Sequence, residues 1–142
     1  FLRSSDVLGN AVVGGPTIAF QITDGSADNQ TPAVSNIDLP ATAKAGDTIT
    51  LAANVTDESG VTGIYGWFML DGGGFSDGKI IYAIATGESR LTSGTPKDGV
   101  LSQDITFDPA APEGTYNLWI SVKDIVGNRD FYSTGKAITI TK

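Results

Sequence analysis

The sequence predicts an all-β antiparallel sandwich of about seven short strands with an extra N-terminal strand or hairpin. Three observations predict it. Apolar residues recur with period two or in short runs, and never at helical spacing over a useful length. Turn residues break these runs roughly every eight to twelve positions, as expected of short strands joined by tight loops. Most of the 18 glycines and 6 prolines fall at those breaks, where positive φ and a fixed φ are useful.

In order, the strand candidates are Thr17–Thr23, Ala33–Asp38, Thr48–Thr56, Gly63–Leu70, Ile80–Ala85, Gly99–Phe107, Thr115–Lys123 and Ala137–Thr141. Between them lie Pro40, Gly46-Asp47, Glu58-Ser59-Gly60, Gly72-Gly73-Gly74, Asp77-Gly78, Pro96 to Gly99 and Pro109 to Gly114. The stretch from Asp108 to Tyr116, a proline loop followed by Gly-Thr-Tyr and then Leu118, Ile120 and Val122 in alternation, predicts a tyrosine corner. In it the Tyr116 hydroxyl bonds back to the backbone and pins the connection between two sheets. Alternation turns Leu118, Ile120 and Val122 inward and Trp119 outward. For residues 63–70 two registers stand open. In one, Trp67 is the buried tryptophan and Ile64 and Phe68 face out; in the other, these exchange.

An internal echo sets the domain boundaries. Asp6-Val-Leu-Gly-Asn10 and the alternating Thr17 to Ile22 parallel Asp124-Ile-Val-Gly-Asn128 and Ala137 to Ile140. Residues 1–24 are therefore expected to be the terminal hairpin of a preceding repeat or an added edge strand, 25–31 a polar linker, and 32–142 a complete sandwich. A strand such as Thr17–Thr23 seeks an edge, so a strand-exchanged homodimer is an expected partner state.

Ala45-Gly46-Asp47-Thr48 leads a strand, Val55 to Gly60 ends one, and Tyr116 to Asn128 closes the pattern. Together these resemble a bacterial immunoglobulin-like repeat, a family that shares its pattern with fibronectin type III modules. The resemblance implies an immunoglobulin-like fold and a non-catalytic spacer or adhesion unit in a secreted or cell-surface protein. Its partners would be neighbouring repeats of the same chain, a surface protein or carbohydrate.

Composition narrows the chemistry. The 142 residues include no cysteine and no histidine, so thiol catalysis, a Ser/His/Asp triad, a Cys/His zinc site and a disulfide framework lack their parts. Nine basic against 16 acidic residues leave a net charge of −7, which repels a phosphate backbone, so no nucleic acid partner is expected. No run of about 18 apolar residues exists to enter a membrane. The Phe1-Leu2-Arg3 start lacks a signal-peptide layout, so the chain is expected to be a soluble piece of something longer. Gly72-Gly73-Gly74 lacks the Gly-Lys-Ser/Thr of a phosphate loop. A glycosidase needs two carboxyls about 5 to 9 Å apart across a cleft, and a small sandwich with short loops supplies no cleft.

Two constellations remain. A sandwich brings the loop after Thr56 and the loop after Lys123 to one end, gathering Asp57, Glu58, Asp124, Asn128 and Asp130 as oxygen donors that suit calcium, although no cofactor is required. Asp6, Asn10, Asp24, Asp28 and Asn29 are placed with a neighbouring repeat, where they could do the same. Against this, Asp and Asn suit turns for their own reasons, and no Asp-x-Asp-x-Asp-Gly loop occurs. The second constellation is aromatic: Trp119, Trp67 and Tyr65 offer ring faces to a sugar, while outward rings also pack on neighbouring strands.

Overall fold

The computed structural model describes residues 28–74, 80–87 and 91–142, and for residues 80–87 the backbone alone. The terminal-hairpin reading of residues 1–24 lies outside the described residues. All regular structure among the described residues is strand: β1 (Ala33–Asp38), β2 (Thr42–Lys44), β3 (Thr48–Thr56), β4 (Val61–Leu70), β5 (Ile80–Gly87), β6 (Leu91–Thr95), β7 (Asp98–Thr106), β8 (Gly114–Asp124) and β9 (Arg129–Thr141). None of the described residues forms a helix long and apolar enough to cross a membrane.

The strands make two sheets, of order β1-β3-β7-β6 and β2-β9-β8-β4-β5. Each turns its apolar alternation toward the other. From the first come Ile49, Leu51, Val55, Leu101 and Ile105; from the second Ile64, Phe68, Leu118, Ile120, Val122, Ile138 and Ile140. The two sets form one core, and Phe68 meets Phe107 edge to face at 5.7 Å. All pairings are antiparallel except β2 with β9.

Two strands went unread in the sequence and one began early. β2 has three residues and runs parallel to the end of β9. β6 is almost wholly exposed, so it shows no apolar alternation. β9 starts at Arg129, eight residues before the predicted Ala137. A register shift between Asn117 and Trp119, with Gly135 at φ 70°, lets this polar stretch stay on β8. The register of β4 is also decided. Ile64 (5% exposed) and Phe68 (0%) face the core, and Tyr65 and Trp67 face out. Trp67 is therefore not the buried tryptophan, because pairing of Phe68 with Leu118 and Trp67 with Trp119 ties its side to that of β8.

The tyrosine corner forms. Tyr116 is fully buried at the start of β8, and its hydroxyl donates to Pro112 O at 2.7 Å. That bond satisfies a buried polar group and contributes about 1 kcal/mol. Burial pushes the Tyr116 phenol above its ordinary range.

Candidate functional site

Three turns converge at the pole where the chain enters β1. The first is the entry itself. Asp28 takes the Gln30 N–H on Oδ1 at 2.9 Å, an Asx turn that directs the chain toward Pro32. The second is the β3–β4 loop, Asp57-Glu58-Ser59-Gly60. Asp57 Oδ1 accepts from Ser59 N (3.0 Å), Ser59 Oγ (2.8 Å) and Gly60 N (2.7 Å). Gly60 sits at φ 111°, a conformation that residues with a side chain rarely adopt. The third is the β8–β9 loop. Asp124 Oδ1 accepts from Gly127 N at 2.6 Å and Asn128 N at 2.8 Å, and Oδ2 accepts from Asn128 Nδ2 at 2.6 Å.

These turns are joined to one another. Ser59 N donates to Asp28 Oδ2 at 3.1 Å, and Asn128 Nδ2 donates to the Asp28 carbonyl at 3.0 Å. Asp28, Asp57 and Asp124 each place a carboxylate oxygen within 4.8 Å of the other two. Asp124 is fully buried. Asp57 Oδ2 is sealed from solvent and accepts no hydrogen bond from the described residues. The Gln30 N–H holds the Asp28 carboxyl below the usual range, against the opposing effect of burial, with help from Ser59 and the charge of Lys97.

The electrostatics of this pole are unfavourable without a counter-charge. Carboxylate charges within 4.8 Å of one another repel, and more strongly away from bulk water than in it. The donor set is all oxygen, three of it formally anionic, which is the chemistry of a hard divalent cation. The free Asp57 Oδ2 is the oxygen whose desolvation nothing among the described residues offsets.

Of the sequence candidates, Asp57 and Asp124 lie in this group. Asn128 touches it through its amide nitrogen, so in this orientation it positions Asp28 and Asp124 rather than offering an oxygen. Glu58 and Asp130 are exposed and outside the group; Asp130 Oδ1 caps Phe131 N at 2.7 Å. Asp28 belongs to this pole rather than to a neighbouring repeat. The signal for it was register: Ala33 pairs with Thr56, so residues just before β1 must lie beside Asp57.

The aromatic candidates gather on the outer face of the five-stranded sheet. Trp67 sits opposite Trp119 in the ladder. Phe131, in the mostly polar first half of β9, joins them: it stacks on Trp119 at 5.3 Å and meets Trp67 edge-on at 5.6 Å. Tyr65 extends the row at 6.4 Å from Trp67. Tyr65 and Phe131 are 47% and 43% exposed, and the two tryptophans are half-buried.

No family model matches the chain, and no curated protein matches it. Among solved structures it is similar to the Pseudomonas fluorescens alkylpurine DNA glycosylase AlkC bound to DNA containing an abasic site analog. The TM-score is 0.49 at 12% identity, over 79% of this chain and 31% of that one.

Proposed function

We propose that the chain is a non-catalytic, immunoglobulin-like repeat of a secreted or cell-surface protein. It serves as a spacer or adhesion unit whose entry segment is clamped to the module by calcium. The strand order supports the fold: β1-β3-β7-β6 against β9-β8-β4-β5 corresponds to the ABED and GFCC′ sheets of that fold, with the corner tyrosine at the start of strand F. The observation that carries the calcium reading is the buried, unbonded Asp57 Oδ2 beside Asp28 and Asp124. Calcium takes six to eight oxygens, so Asp28, Asp57 and Asp124 would hold it with water completing the shell. The ion would join a residue of the incoming segment to two loops of the module, which stiffens the joint without any chemistry. Calorimetric titration of the wild-type chain should show about one calcium per molecule, and Asp57→Asn should lose it. A wild-type chain that gives no binding heat sinks the reading.

A second reading rests on the row Tyr65, Trp67, Phe131 and Trp119, of which Tyr65 and Phe131 are exposed and the two tryptophans half-buried. As a carbohydrate-binding surface it would stack the apolar face of a pyranose on these rings. Trp119→Ala should then reduce retention on a polysaccharide affinity gel at least about tenfold, equivalent to ~1.4 kcal/mol, with an unchanged unfolding transition. If wild type and variant migrate alike in every polysaccharide, the rings serve only to cover the sheet.

A further inference from the structure

The turn between β6 and β7 brings a cation to the carboxylate pole. Thr95 pairs with Asp98 across this tight hairpin, and Asp98 N donates to Thr95 Oγ1 at 3.2 Å. Both residues of the turn are fastened to the neighbourhood of the β3–β4 loop. Val61 N donates to Pro96 O at 2.9 Å, and Asp57 N donates to Lys97 O at 3.0 Å. Lys97 is thus seated beside the aspartate whose Oδ2 accepts no hydrogen bond from the described residues. Its side chain leaves the turn over Gly60: Pro96 Cβ and Lys97 Cγ lie 3.3 and 3.9 Å from where a Cβ on Gly60 would stand. Gly60 N is itself a donor to Asp57 Oδ1, so the stem of Lys97 crosses the loop that Asp57 folds. Lys97 and Ser59 line the same groove, and Ser59 N holds Asp28.

Two other cations flank the β8–β9 loop, Lys123 and Arg129, and they stand opposite each other in the ladder. Val122 and Asp124 on either side of Lys123 are buried, so alternation turns Lys123 to the outer sheet face, away from the pole. Lys97 is the cation placed to act on the carboxylates, and its charge reaches Asp28. Lys97 is exposed, so its influence passes through water and salt screens it. Three carboxylates and one ammonium leave two net negative charges at the pole. Calcium affinity is tuned by the charge of the ligand set, and a set offset in this way suits the range of extracellular modules, about 10⁻⁴–10⁻³ M.

We infer that Lys97 is the resident counter-charge of this pole and sets its threshold for calcium: it offsets part of the carboxylate repulsion when the ion is absent and opposes the ion when it binds. The effect on the ion rests on the calcium reading above; the effect on the ion-free pole does not. The test is calcium titration and thermal unfolding of the wild-type chain, Lys97→Met, Lys97→Arg and Lys123→Met, at low salt and at about 1 M salt, where the Debye length falls to about 3 Å. At low salt Lys97→Met should bind calcium about three- to tenfold more tightly than wild type. Lys97→Arg should match wild type, and Lys123→Met should change affinity by less than about twofold. At high salt the gain in Lys97→Met should shrink below about twofold. In chelator at low salt Lys97→Met should unfold about 2 °C below wild type, and Lys97→Arg at the wild-type midpoint. Equal affinity of Lys97→Met and wild type overturns the inference. So does an equal gain in Lys123→Met, which makes overall charge the cause, or a gain that high salt leaves intact, which makes loop shape the cause. A wild-type chain that binds no calcium removes the clamp; the chelator midpoints then decide alone, and equal midpoints for Lys97→Met and Lys97→Arg overturn the counter-charge.

Discussion

Calcium at one hundred times its dissociation constant should raise the unfolding midpoint of the chain by roughly 10 °C, and chelator should return it. The size follows from mass action: binding to the folded state alone at that excess adds about 2.7 kcal/mol. For a domain of this length each kcal/mol moves the midpoint by about 4 °C. The variant that isolates the cause is Asp57→Asn. It keeps the Oδ1 acceptor that organises Ser59 and Gly60 and replaces the unbonded Oδ2 by a neutral donor facing Asp28 and Asp124. In chelator, Asp57→Asn should be more stable than wild type by about 1 kcal/mol, because it removes part of the carboxylate repulsion. In calcium it should be less stable than wild type. A turn-forming Asp with no metal role gives the opposite pattern in chelator, a loss, and no response to calcium; differential scanning calorimetry in the two buffers separates them.

Asp124→Ala should cost about 3–4 kcal/mol in chelator, and more in calcium, where the stabilisation by the ion is lost as well. Asp124 is the one fully buried charged residue among those described, and its two oxygens accept three hydrogen bonds from Gly127 and Asn128. Alanine leaves those donors inside the pole without acceptors, each a desolvation loss of about 1–3 kcal/mol, partly recovered by water. Asn128 would then release the Asp28 carbonyl as well, since the same amide group holds both. Urea denaturation should show a lower midpoint at an unchanged slope, as for a stability change without a change of unfolded state. A loss under about 0.5 kcal/mol, the range of ordinary surface substitutions, would mean that the loop is not organised by this carboxylate.

How much of this was legible varies with the residue. β1 and β3 have the bounds read from the sequence, because their turns are marked by Pro40, Gly46-Asp47 and Glu58-Ser59-Gly60, and the burial of β3 alternates. Leu118, Ile120 and Val122 turn inward as expected. β6 was not legible, since an edge strand exposed on nearly every residue has no reason to alternate. The first half of β9 was not legible either, as it is polar and passes through Gly135 at positive φ. Losing it hid Phe131 and with it the continuity of the aromatic row.

At the carboxylate pole, the residue types were enough to select Asp57 and Asp124, and not enough to choose among their neighbours. Glu58 and Asp130 differ from them only in which way the loop turns, and that depends on Oδ1 of each aspartate capping its own turn. What the sequence by itself determined is the all-β class, the inward face of β8 and the corner at Tyr116, because these depend on period-two patterning and local turn chemistry. Only the tertiary structure decided that Trp67 faces out, that Asn128 turns its amide nitrogen inward and that Asp28 joins the cluster. Each of these depends on a contact between strands or loops far apart in sequence, where pairing register, rather than local preference, sets which side chains meet.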